Sequence, residues 1–163
     1  MRRYVRGLRS LQVIVGIAVW VWSGHAPAQA AESIVGTWTL NVARSTYSPG
    51  PAPKSLTVKF EAAGDGIKST SDTVAADGSS TQTEYTAKYD GKDYPLKGMK
   101  TADTVSLKQV DASTTVRTDK KAGKVVRTYT RKLSADGKTM TVTITGTDEQ
   151  GRTIHNTVVL ERQ

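Results

Sequence analysis

Arg127, Tyr129 and Arg131 are the residues of this 163-residue chain whose types and spacing most suggest a binding site. They stand at i, i+2 and i+4, which puts three side chains on one face of a β-strand. Two guanidinium groups flanking a phenol suit an anion, because carboxylate and phosphate oxygens accept paired N–H donors from arginine. If that face points inward, it lines a cavity with a head-group site. If it points outward, it is a solvated ladder. By the same count Val125 and Leu133 share the face. The opposite face, Val126, Thr128, Thr130 and Lys132, is hardly more apolar, so periodicity leaves both orientations open. Tyr85 and Tyr89 share another face with Ala87. They read either as cavity-wall aromatics with a hydroxyl handle or as core and cross-strand packing residues.

Material for catalysis is thin. The chain has no cysteine, and no serine sits in a G-x-S-x-G elbow. His155, beside Thr153, Thr157 and Val159, is the one histidine after residue 30, and with no cysteine the chain offers almost nothing for a structural zinc site, which needs Cys or several His. Aspartate and glutamate fall mostly in turns, where Asp is chosen for backbone reasons. No glycine-rich loop opens a helix to cradle phosphate. The expectation is a binding or interaction protein with no catalytic residues, no metal and no cofactor.

The N-terminus carries Arg2, Arg3, Arg6 and Arg9, then an apolar run from Leu11 to Trp22. Ser23, Gly24, His25 and Pro27 end any helix, and Ala28-Gln29-Ala30 offers small residues at a cleavage site. Basic head, short apolar centre and small-residue cut site are the parts of a secretory signal. The run is well short of the roughly 20 apolar residues of a spanning helix. Residues 1–30 are therefore expected to be a signal peptide, with Trp20 and Trp22 part of it, and 31–163 a single soluble domain in the periplasm or outside the cell. Without its four N-terminal arginines the chain holds 19 basic against 15 acidic residues, a balance of +4. These charges are interspersed, which argues against a nucleic-acid partner.

Threonine supplies 23 of the 133 residues from 31 to 163, and a β-branched side chain favours extended backbone. No stretch carries a helical apolar stripe. Alternating runs predict about ten strands, near 35–42, 54–62, 67–75, 79–89, 92–96, 104–110, 114–120, 124–134, 138–147 and 152–162. The turns include Asp77-Gly78, Asp90-Gly91 and Asp136-Gly137, strong hairpin signals because both residue types tolerate positive φ. Between the first two strands, Ser48-Pro49-Gly50-Pro51-Ala52-Pro53 forbids a helix interior or a ladder strand. A ten-stranded meander would expose two long edges, and closure into an up-and-down barrel removes them.

Gly36-Thr37-Trp38 on the first strand, followed by such a meander, resembles the calycin superfamily of lipocalins and fatty-acid-binding proteins. The wider stretch from Gly36 to Asn41, with Ser45, Tyr47 and 48–51, is similar to a group of small exported bacterial proteins. That similarity extends through 136–142 to Glu161-Arg162-Gln163. The resemblance implies an all-β, calycin-like barrel of 8–10 antiparallel strands. It also implies that Trp38 plugs one end against a basic residue from a late strand, Arg162 or Arg152, next to Gly36. The chain departs from fatty-acid-binding proteins twice. The proline-rich loop replaces their helical lid, and their C-terminal Arg-x-Tyr, which grips a carboxylate, is absent from the C-terminus here. Haem-binding barrels that open with a similar G-x-W element have further small residues where Leu40, Val42 and Arg44 stand, so His155 is not expected to bind haem.

The reading reached is an exported β-barrel binding a small hydrophobic or amphipathic ligand without chemistry, with Arg127, Tyr129, Arg131, Tyr85 and Tyr89 as ligand-binding candidates. Its rival is a filled barrel, an interaction or envelope-structural module acting through its surface or loop 43–53. A ligand site needs a void of roughly 300 Å³ or more, which separates the two.

Overall fold

The computed structural model describes residues 33–163, and the signal-peptide reading of 1–30 lies outside the described residues. Ten strands follow in order: β1 Gly36–Leu40, β2 Ser55–Ala63, β3 Gly66–Val74, β4 Ser80–Lys88, β5 Tyr94–Lys97, β6 Thr104–Gln109, β7 Thr114–Lys121, β8 Lys124–Leu133, β9 Thr139–Thr147 and β10 Thr153–Arg162. Each pairs antiparallel with its sequence neighbour. β1 also pairs with β10, through Trp38–Arg162, Thr39–Glu161 and Leu40–Leu160, and closes the barrel. The fold is the expected all-β, calycin-like meander, and closure leaves no free edge.

Turn chemistry fixes the hairpins. Asp77 Oδ1 accepts the Ser79 backbone N–H at 2.8 Å, and Asp136 Oδ1 accepts that of Lys138 at 3.0 Å. These aspartates hold the backbone two residues on. Between β1 and β2 there is no helical lid. A single 3₁₀ turn, Val42–Arg44, is capped by the Asn41 side chain, and the proline run follows. This linker is tied to β10: the Thr46 N–H donates to the Thr157 carbonyl at 2.8 Å, and the His155 N–H donates to that of Ser48 at 2.8 Å.

The alternation places Leu56, Val58 and Phe60 of β2, Met140, Val142 and Ile144 of β9, and Val158 and Leu160 of β10 inside. Outward positions carry exposed ion pairs such as Lys59–Glu61 and Lys68–Glu84, so the outer face is not the apolar belt of a membrane barrel. Among the described residues no helix is long and apolar enough to cross a membrane.

One expectation is corrected. Asp119 pairs with Arg127 but Lys120 pairs with Val125, so Val126 is an extra residue bulged into β8. The bulge reverses the alternation, and Val125 faces solvent instead of sharing the face of Arg127. Gly146 of β9 permits it. Its φ is +143°, and a Cβ there would run into the Val126 carbonyl oxygen.

Candidate functional site

The meander gives the barrel two unlike ends. The turns after β2, β4, β6 and β8 gather at one end with residues 33–35; those after β1, β3, β5, β7 and β9 gather at the other.

The first end is plugged. Trp38 is fully buried, and its Nε1 donates to the Ile34 carbonyl at 2.8 Å. The Arg162 guanidinium lies 4.4 Å from the centre of the Trp38 ring. It donates to the carbonyls of Gly137 at 2.8 Å, Val35 at 2.6 Å and Ser33 at 2.6 Å. Gly36 leaves room for this arm, since a Cβ there would sit 2.9 Å from Arg162 Nη1. Arg152, the alternative for this contact, is at the opposite end and pairs with Asp148 at 2.6 Å.

From the other end a cavity of about 800 Å³ enters the barrel. Its apolar wall is Leu56, Val58, Phe60, Val142, Ile144, Val158 and Leu160. Ser71, Thr73, Thr81 and Thr83 form a hydroxyl wall, and Arg117, Arg127, Tyr129 and Arg131 a cationic one. Tyr47, Pro53, Met99, Lys100 and Glu149 also line it. A vestibule of about 480 Å³ adjoins it, bordered by Pro49, Pro51 and Asp148 and sharing Tyr47, Arg127 and Glu149.

Arg127, Tyr129 and Arg131 thus face inward along β8. Arg131 is 5% exposed; its Nη2 donates to Tyr85 Oη at 3.1 Å, and its guanidinium lies 5.3 Å from the Phe60 ring centre. Arg127 donates from Nη1 to Tyr129 Oη at 3.3 Å and from Nη2 to the Thr147 carbonyl at 3.1 Å. Tyr85 does not reach the cavity wall: it is buried behind it, beneath the guanidinium groups. Tyr89 packs against the core away from the cavity wall. His155 is exposed on the outside of β10.

Sequence reasoning missed Arg117 and Asp119. Both lie on the inner face of β7, and Arg117 donates to Asp119 from Nε at 2.6 Å and from Nη2 at 3.0 Å. The Arg117 guanidinium is also sandwiched 4.8 Å from the Tyr85 ring centre and 4.6 Å from that of Tyr129. Burial opposes its charge, but Tyr129, Asp119 and Tyr85 outweigh that and hold its proton more tightly than usual. The available signal was an Arg-x-Asp within a strand: an aspartate outside any turn, two residues from a cation.

Burial would raise the Tyr85 phenol, but the Arg131 and Arg117 charges overcome it and hold its pKa below the ordinary value. Burial raises Tyr129 despite the nearby arginines, and pushes Tyr47 and Tyr89 up to about 12. Among the described residues no group of His, Cys, Asp and Glu could hold a metal ion. The arrangement can seat an apolar body on one wall and satisfy a polar or anionic group on the other.

Fold and site together define a closed antiparallel barrel with an internal, partly cationic cavity. Zebrafish ileal bile acid-binding protein, solved with cholic acid, is similar at a TM-score of 0.49 and 13% identity, over 80% of this chain and 99% of that one. The siderocalin Ex-FABP, described as functioning through dual ligand specificities, is similar at a TM-score of 0.37 and 13% identity, over 80% of this chain and 74% of that one. No family model matches the chain, and no curated protein matches it in sequence. The two structural likenesses concern architecture and assign no residue a role.

Proposed function

We propose that this protein is an exported barrel that binds a small hydrophobic or amphipathic ligand in its cavity and performs no chemistry on it. The observation that carries the reading is a cavity of about 800 Å³ with an apolar wall of β2, β9 and β10 residues facing Arg127, Tyr129 and Arg131. A small-molecule site needs roughly 300 Å³ or more, with a largely apolar lining and a few polar groups that orient the ligand. That volume weighs against a filled barrel acting only through its surface. Export rests on the arginine-rich head, apolar run and Ala28-Gln29-Ala30 of the N-terminus.

Native mass spectrometry of the protein purified from the envelope or medium of its own host tests both parts. The expected result is a chain lacking residues 1–30 with a bound small-molecule mass. A bare chain that stays bare after incubation with lipids and bile-acid-like amphiphiles contradicts the binding reading. Retention of residues 1–30 contradicts cleavage.

A further inference from the structure

We infer that the ligand carries two acidic groups, one taken by Arg131 deep in the cavity and one by Arg127 nearer its mouth. The inference rests on the ligand-binding reading and narrows the ligand to an elongated diacid.

Three guanidinium groups and one carboxylate occupy the inner faces of β7 and β8. Arg117 is matched by the two-bond pair with Asp119. Arg131 and Arg127 have neutral partners: a phenol and a ring face for the first, a phenol and a carbonyl for the second. Of the residues lining the cavity at its mouth, Lys100 and Glu149 have opposite charge and leave the sum unchanged; in the vestibule outside it Asp148 pairs with Arg152, and Asp77 accepts from Ser79. The interior therefore has two positive charges more than it has negative ones. Arg131 is buried and Arg127 half-buried, and taking such charges out of water is costly unless counter-charge and acceptors reach them.

Hydrogen bonding points to the same two residues. Arg131 Nη1 and Arg127 Nε are buried with no hydrogen-bond partner among the described residues. An arginine nitrogen is a donor and is satisfied only by an acceptor. Acidic groups supply both the acceptor and the charge.

Position separates the two sites. The arginines are four residues apart on one strand, about 13 Å at the usual rise of a strand. Arg127 bonds the Thr147 carbonyl at the open end as well as Tyr129 Oη, whereas Arg131 bonds Tyr85 of β4. Tyr129 and the neutralised Arg117 stand between them. A compact dianion such as a phosphate reaches one level, whereas a chain with an acid at each end reaches both.

Calorimetric titration of the chain from residue 31 with dodecanol, dodecanoate, dodecyl phosphate and dodecanedioate tests this. The diacid is expected to bind about tenfold or more tightly than the monoacid and the phosphate, the value of one charge-assisted hydrogen bond. Arg127→Met should bring the diacid down to the level of the monoacid, and a circular dichroism spectrum matching that of the parent protein shows that the variant folds. Equal or tighter binding of dodecanoate, dodecyl phosphate or dodecanol overturns the inference and leaves the binding barrel standing, as does an Arg127→Met variant that keeps the diacid preference. Failure of all four compounds removes the diacid inference and counts against the ligand-binding reading as well.

Discussion

Arg117 and Asp119, two positions apart on β7, meet inside the barrel in a two-bond ion pair of 2.6 and 3.0 Å. Their side chains are 6% and 0% exposed. The pair holds Arg117 between two tyrosine rings and leaves the β8 arginines as the uncompensated charges of the cavity.

Removing one partner of that pair strands the other. Asp119→Asn should destabilise the protein by about 3 kcal/mol, because an unpaired guanidinium remains buried. The double variant Arg117→Met with Asp119→Leu should recover most of the loss, since an apolar pair of similar volume carries no charge to desolvate. Urea unfolding of the three proteins measures both effects.

The plugged end gives a sharper contrast. Arg162→Ala deletes three hydrogen bonds to carbonyls and the stack on Trp38, at a cost of about 2–4 kcal/mol. Arg152→Ala, at an exposed ion pair, should cost less than about 1 kcal/mol. Thermal melts of the two variants should therefore differ plainly.

The barrel's strands and turns were legible in the sequence because each hairpin is marked by a local signal: Asp136-Gly137 before a run with Met140, Val142 and Ile144 on one face. Arg162 over Trp38 was also within reach, through the opening Gly36-Thr37-Trp38 and a late arginine. The orientation of β8 was not. Thr128, Thr130 and Lys132 are as polar as the face that turned inward, so no hydrophobic contrast marked the inner side. Val125 departs from the expected face because one bulged residue, Val126, reverses the alternation and leaves no trace in composition. Asp119 is not marked in the sequence, because aspartate most often serves the backbone of turns. Tyr85 and Tyr89 belong to the packing behind the cavity, and tyrosine at alternate positions carries no mark of whether a void lies in front of it.

The bulge makes its own prediction. Gly146→Ala forces a Cβ onto the Val126 carbonyl at a positive φ, which should cost about 1–3 kcal/mol. Because Arg127 is cross-strand from Gly146, the same variant should weaken binding of the diacid more than that of the monoacid. Parallel titrations with dodecanedioate and dodecanoate measure the difference.

Alkaline stability should report the buried tyrosines. Tyr47 and Tyr89, raised to about 12, keep their protons in the folded state after the unfolded chain has lost them. Their contribution is complete below the ordinary tyrosine value of about 10 and is lost as the pH rises to about 12. Tyr85 is shifted the other way, so its contribution grows as the pH rises towards its ordinary value and is complete above it. With two groups pushed up and burial also raising Tyr129, the net trend above about pH 10 is loss of stability. Tyr47→Phe with Tyr89→Phe should flatten that loss. Each hydroxyl is buried without a partner among the described residues, so neither change should harm the protein at neutral pH. Urea unfolding followed against pH checks both statements.

The central claim, that the cavity inside the barrel is the binding site, is tested most directly by an NMR titration with dodecanoate that follows valine and isoleucine methyl groups. The account predicts saturable shifts at the inward Val58, Val142, Ile144 and Val158 and none at the outward Val42, Val110 and Val125. Shifts confined to the outward three, or no saturable shift at the inward four, would contradict it.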